Sequence, residues 1–277
     1  MVGVCCSIHL FLLNWDCVLL RTLVGGTTTE SEAMSKTRGY GQFCPVAIAS
    51  EVLAERWTML VLRELLCGSH RFNDLHRGVP LMSASLLSRR LKELDAFGLV
   101  EKRPLERGKG HGYFLTEAGQ ALNPLVEGIG LWGLKYMRTT FAATNLDPSL
   151  LMWDMRRWIR PEHLPVGRIV IRIDLTDARK AQQRYWLVKH ENEQDLDLCL
   201  HDPGFDVNLI VTSDIESLAR IWLGDIEIEH AIRSGRIRLE GPASLRLSFY
   251  DWIGLSPFAH LRPAKPAGAH ASVAPAA

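Results

Sequence analysis

The sequence predicts an α+β protein: a mostly helical N-terminal half carrying one β-hairpin, and a C-terminal α+β half with a five-stranded sheet covered by helices. Three observations carry this. Between 40 and 140, apolar residues recur at helical spacing, broken by two short apolar runs around a Gly-spaced basic loop. Between 150 and 255, period-two alternation is interleaved with short helical stretches. The chain has 277 residues, 47% hydrophobic and 23% charged, an ordinary globular composition long enough for two domains. The expected boundaries are 1–33 as a disordered extension or mis-called start, 40–140, 150–255, and a disordered Ala/Pro/Gly/Ser tail at 264–277.

Residues 1–33 differ from the rest. Ile8–Leu13 and Val18–Leu20 are apolar but interrupted by Asn14, Trp15 and Asp16, too short and broken for a membrane span, which wants ~20 apolar residues. No Lys or Arg precedes Arg21, so a secretory leader is not expected. Six Cys without close spacing beyond Cys5-Cys6 make neither a disulfide framework nor a zinc ribbon, and the expected setting is cytoplasmic and reducing.

Pro45 opens a first helix with Val46, Ala49, Val52 and Leu53 as its apolar stripe. Trp57–Leu66, apolar nearly all round, predicts a buried second helix closed by Gly68. Phe72–Arg77 is a short third helix with Phe72 and Leu75 inward. After the Gly78-Val79-Pro80 turn, Ser83 caps a fourth helix that runs to Phe97 and ends at Gly98. Leu99–Leu105 and Gly112–Leu115 are strands. Thr116 caps a last helical region, restarted at Pro124 and ending near Arg138. Thr139–Pro148 is a candidate linker.

Beyond it, Leu150–Ile159 is a Trp- and Met-rich helix stopped by Pro161. Ile169, Ile171, Ile173 and Leu175 alternate as a half-buried strand. Gln183–Lys189, the Leu196/Leu198/Leu200 alternation, Val207–Val211 and Ile237–Leu239 complete five strands. Asp214 caps a helix to Leu223, Ile228–Arg233 is another, and a third restarts at Pro242 and runs to about Ile253.

The net charge is only +1, from 32 Lys and Arg against 31 Asp and Glu, so any nucleic-acid site must be a local patch. Such a patch exists. From Arg71 to Tyr113 nine basic residues face five acids. On the fourth helix Leu87, Leu91 and Leu94 form the inward row, while Ser85, Ser88, Arg89 and Lys92 lie on the other side, residue types suited to base edges and phosphates. Four helical segments followed by a hairpin with a basic loop is the winged-helix arrangement, in which a helix enters the major groove of double-stranded DNA. Ser83, Ser85, Ser88, Arg89, Lys92, Arg71, Arg103, Arg107 and Lys109 are the candidate DNA-binding residues. Arg90, beside the apolar row, suits either a brace for the helix or a phosphate contact.

Cys44-Pro45-Val46-Ala47, Glu55-Arg56-Trp57-Thr58, Leu62-Arg63-Glu64-Leu65, Arg71-Phe72-Asn73-Asp74-Leu75, Leu86 to Leu94, Gly98-Leu99-Val100 and Tyr113 to Gly119 together resemble the HxlR-type winged-helix transcriptional regulators. The resemblance implies a homodimer built by the first and last helices of the domain, binding operator DNA through the fourth helix and the wing. His111-Gly112 departs from many members, which carry a longer polar side chain there. Cys44 stands where some members carry a redox-sensing thiol; the alternative is a small residue at the dimer contact.

In 150–255 the charge reverses, fourteen bases against seventeen acids, which argues against a second DNA module. Nothing there suggests an enzyme: no Gly-x-Ser-x-Gly, phosphate loop or dinucleotide fingerprint occurs, and no His pair has metal-ligand spacing, so neither cofactor nor metal is expected. The run from Val207 through Gly224-Asp225 and Ser234-Gly235 to Gly241 resembles the distal half of sterol-carrier-protein-type lipid-binding domains. That resemblance implies an apolar tunnel for a hydrophobic small molecule, with Trp158, Trp186, Leu198, Leu218 and Trp222 as candidate lining; bulky residues of this kind also serve simply as core. The sequence thus predicts a regulator with a C-terminal effector domain. The alternatives are a thiol-based redox regulator acting through Cys44, or a lipid-binding or transfer protein with vestigial DNA binding.

Overall fold

The computed structural model describes residues 39–105, 110–136, 146–191 and 196–259. The expectations for 1–33, for the wing-loop residues Arg107 and Lys109, for most of the linker and for the tail lie outside the described residues. The chain divides into two compact units, Met1–Glu51 and Val52–Ala277. Helix α1 (Pro45–Leu53) begins in the first unit after Cys44, whose carbonyl accepts the Ile48 N–H at 3.1 Å, and its last two residues belong to the second. The Glu51 carboxylate accepts the Tyr40 N–H at 2.8 Å. Of the expected apolar stripe of α1, Val46 and Ala49 are exposed, while Val52 and Leu53, in the second unit, are half-buried against its core.

The second unit begins with helices α2 (Thr58–Leu66), α3 (Phe72–Gly78) and α4 (Ala84–Ala96), a hairpin of β1 (Val100–Pro104) and β2 (His111–Leu115), then α5 (Glu117–Gln120) and α6 (Asn123–Tyr136). Leu62, Leu65, Leu75, Leu87, Leu91, Leu94 and Val100 share one apolar core. Capping chemistry sets the boundaries. The Ser83 hydroxyl accepts the Leu86 N–H at the start of α4. Gly98, at φ 67°, takes the left-handed turn that releases the chain into β1. The Thr116 hydroxyl caps α5 by accepting the Gly119 N–H and donates to the Gly98 carbonyl at 2.6 Å. Two expectations need correction. Helix α2 is not buried all round: Leu60 is exposed, while the charged Glu64 is fully buried. Its start lies one residue later than expected: Trp57 sits at φ 79°, outside helical space.

Helix α7 (Pro148–Trp158) leads into a five-stranded sheet, with Asp147 accepting the N–H groups of Ser149 and Leu150. The strands are β3 (Ile169–Leu175), β4 (Arg184–Lys189), β5 (Leu196–Cys199), β6 (Leu209–Ser213) and β7 (Ile237–Glu240). Their order is β5-β4-β3-β6-β7, antiparallel except for the parallel β3–β6 pair. Helices α8 (Ile215–Trp222) and α9 (Ile228–Arg233) connect β6 to β7, and α10 (Ala243–Leu247) and α11 (Phe249–Trp252) follow. The single helix expected after Pro242 is therefore two, parted at Ser248.

Ile169, Ile171, Ile173 and Leu175 point to the face covered by α7, α8 and α11, in a core with Met152, Met155, Leu218, Phe249 and Trp252. Strand β3 is more buried than a half-buried strand should be. Val170, from the opposite face, packs with Trp186 and Val188 in a second apolar cluster, against which Phe205 and Val207 lie. Helices thus cover one face, and the connection before β6 covers part of the other.

Candidate nucleic-acid interface

Helix α4 divides its side chains cleanly. Leu87, Leu91 and Leu94 are at most 1% exposed, whereas Ser85, Arg89 and Lys92 are exposed and Ser88 is half-buried. The four polar residues follow the i, i+3, i+4, i+7 row and share one face. Arg89 stands 3.8 Å from Glu93 with two-thirds of its side chain in solvent. Exposed pairs of this kind contribute about 0–1 kcal/mol, so the guanidinium can readily exchange its partner. Ser83 is exposed but committed: its hydroxyl caps the helix and touches the Ser85 hydroxyl at 3.2 Å. Arg90 is a brace. It is buried, donating to Glu93 at 2.7 Å and to Glu55 at 3.2 Å.

The hairpin is clamped to the segment before α3. Tyr113 N–H donates to the His70 carbonyl at 2.8 Å, and His70 Nδ1–H donates to the Tyr113 carbonyl at 3.2 Å. The His70 ring stacks on Phe114, centroids 4.4 Å apart, and the Arg103 guanidinium lies over Phe114 at 4.2 Å while pairing with Glu101 at 3.2 Å. Arg71 follows His70 directly and is exposed at the start of α3. His70 and Phe114 thus hold Arg103 of the hairpin beside the start of α3, where Arg71 is exposed. Neither was a sequence candidate; the Arg-x-x-x-x-x-x-x-x-x-x-aromatic spacing across a hairpin gives no local signal.

The HxlR-like helix-turn-helix family profile matches residues 52–141. The HTH-type transcriptional regulator YvaP of Bacillus subtilis (strain 168) is 34% identical over 102 residues, which are 36% of this chain and 94% of that protein. The chain belongs to the HxlR-like helix-turn-helix family. An HTH-type transcriptional regulator of Methanothermobacter thermautotrophicus is 32% identical over 94 residues, 34% of this chain and 72% of that protein. Among solved structures, the reduced form of the transcriptional regulator YodB from B. subtilis is 30% identical, covers 35% of this chain and 97% of that one, and has a TM-score of 0.31.

The HxlR-like match ends before α7, yet its helices are joined to α7 by a buried polar cluster. Glu64 on α2 has no exposed surface. It pairs with Arg157 of α7 and with Arg63 at 2.6 Å, and it accepts from Trp153 Nε1–H at 3.3 Å and the Ser69 hydroxyl at 3.4 Å. Arg157 also pairs with Asp154 at 3.3 Å. A Cβ on Gly78 would overlap the Glu64 carboxyl, so only glycine fits where α3 ends. Burial pushes the Asp154 carboxyl above its ordinary range, opposed by Arg63 and Arg157. Burial likewise raises the Cys67 thiol, opposed by Arg157. A signal for Glu64 was present in the sequence: it shares the inward helical row of Val61 and Leu65.

The five candidate lining residues do not line one cavity, although Leu198, Leu218 and Trp222 share one core. Trp186 faces the cluster on one side of the sheet, whereas Leu218 is packed in the core on the other and Trp222 lies against that same core. Side chains alternate along a strand, so Trp186 cannot share a cavity with residues beneath its neighbours Tyr185 and Leu187. Trp158 is 38% exposed at the end of α7. Only Leu198 lines either of two cavities, one of about 210 Å³ beside α3 and α7 and one of about 570 Å³ beside Ile226, Ile228 and Tyr250. Cys44, in the N-terminal unit of the HxlR-like chain, is a free, exposed thiol at the first turn of α1. Among the described residues no helix is long and apolar enough to cross a membrane.

Proposed function

We propose that this chain is a DNA-binding transcriptional regulator that acts as a homodimer, laying α4 in the major groove of operator DNA and the hairpin on the adjacent backbone. The observation that carries this is the exposed Ser85-Ser88-Arg89-Lys92 face on a helix whose other side is core. In this reading 40–140 is the DNA-binding domain and 150–255 senses a small molecule; no enzymatic role is proposed. The succession β6, α8, Gly224-Asp225, α9, Ser234-Gly235, β7 supports the sterol-carrier-type resemblance of the second half. The dimer draws support from α6, where Leu125, Ile129, Trp132 and Tyr136 are 45–60% exposed at heptad spacing.

Arg89→Ala is expected to lose about 1–3 kcal/mol of specific binding through a base contact. Lys109→Ala in the wing loop should weaken all sequences alike and lower the salt slope by about one. A gel-shift salt series on a duplex selected from a random library checks both. Unchanged binding in both variants would overturn the assignment. A second reading, thiol-based sensing, rests on the exposure of Cys44. A Cys44→Ser variant whose DNA binding keeps the wild-type response to peroxide rules it out.

A further inference from the structure

We propose that the 210 Å³ cavity between the DNA-binding helices and α7 is an effector site for a small apolar carboxylate, about one substituted ring in size. The inference rests on the regulator reading above and moves the effector from the interior of the C-terminal half to its junction with α3. An apolar cavity of ~150 Å³ accepts benzene, so this one has room for a ring and a substituent. Its walls come from both sides. Leu150 and Trp153 of α7 and Leu198 of β5 supply apolar surface, Pro80 of the turn before α4 adds to the lining, and Leu200 lines it while half exposed.

Among the described residues that line the cavity, Arg77 carries the charge and none is Asp or Glu. Arg77 lies over the Trp153 ring at 5.3 Å, and its ion pair with Asp74, 3.3 Å away, is at the surface, where a carboxylate ligand can replace it. The arrangement therefore selects an apolar body carrying a negative head and disfavours a cation.

The same walls reach the DNA-binding helix. His76, which lines the cavity, donates through Nε2–H to the Met82 carbonyl at 2.7 Å. Met82 is buried in the core, and the next residue, Ser83, is the N-cap of α4. Pro80 lies in the same turn. A ligand that wedges α7 from Pro80 and His76 changes the placement of the α4 N-terminus, the end that carries Ser85. Such a ligand alters DNA affinity to the extent that it binds one placement better than the other.

The test uses the full-length chain and 4-fluorobenzoate followed by fluorine NMR. Saturable binding at one site is expected, with a Kd on the order of 0.1–1 mM for ten non-hydrogen atoms. The size-matched cation 4-fluorobenzylamine should show none. Arg77→Gln should weaken the acid about tenfold by removing the charge-assisted partner, and Leu200→Trp, a change at an exposed position, should block entry with the melting temperature unchanged. DNA affinity in saturating 4-fluorobenzoate should shift about fivefold or more. No saturable binding, equal binding of the amine, or binding unaffected by both variants overturns the site. Binding with an unchanged DNA affinity overturns its role as an effector site. A chain that binds 4-fluorobenzoate but selects no duplex sinks the regulator reading instead, and one that binds DNA but not the acid sinks only this proposal.

Discussion

At the scale of single residues, Asp154 sets a pH dependence that can be isolated. Burial raises its carboxyl above the ordinary 3.8, and the nearby Arg63 and Arg157 offset only part of that. Between the two values the folded chain keeps a proton that the unfolded chain has released. This contribution to stability therefore declines as pH rises through the window above 3.8. Asp154→Asn removes the titration. The variant's stability relative to the parent is expected to rise as pH increases above 3.8 and to level off once the pH passes the raised folded-state value. Urea midpoints across that range check it, and a gap independent of pH would contradict it. The sequence carried no sign of this residue's importance, because its burial depends on α2 packing against α7 across a long separation. Trp57 was illegible for a different reason: left-handed backbone is uncommon outside Gly and Asn, and an aromatic residue before a helical run reads as part of the run.

At the scale of elements, α6 makes the sharpest prediction. Leu125, Ile129, Trp132 and Tyr136 form one apolar row that this chain leaves in solvent, and Gly130, off that row, is taken up by the Phe258 ring. If the row is the seam between two copies, Trp132→Asp should yield monomers with an unchanged melting onset and weaker DNA binding. Sedimentation velocity distinguishes the outcomes; a variant that stays dimeric rules α6 out of the seam. Most element boundaries were legible in advance, because Ser83, Thr116 and Asp214 each cap the helix that their position suggested; Asp147, read as linker, instead caps α7, which starts at Pro148 rather than Leu150. The exposed polar face of α4 was legible for the same reason, since an amphipathic row declares both of its sides. What could not be read was how strands alternate against two different covers. Trp186 and Trp222 look equivalent as bulky residues, but pairing places Trp186 opposite Cys199 on β5, on the face away from the helices.

At the scale of the whole second unit, Glu64 and Arg157 join the two halves that the sequence presents as separate. Removing one member of a buried pair leaves the other charge uncompensated, at a cost of about 3–5 kcal/mol. Arg157→Ala should therefore lower the stability of the HxlR-like helices, even though the substitution lies outside the matched family segment. It should also turn one cooperative unfolding transition into two, resolved by calorimetry; a single transition at the wild-type midpoint would show that the pair couples nothing. Glu64→Leu combined with Arg157→Leu should recover much of the loss, because no charge is then stranded. The pairing also has a consequence in time. Arg157 follows Glu64 by 93 residues. At about 5–20 residues per second the ribosome needs roughly 5–19 s to cover that stretch. During that interval the nascent helices hold Glu64 with only Arg63 and Ser69 in reach, so the DNA-reading half is completed by what is synthesised after it.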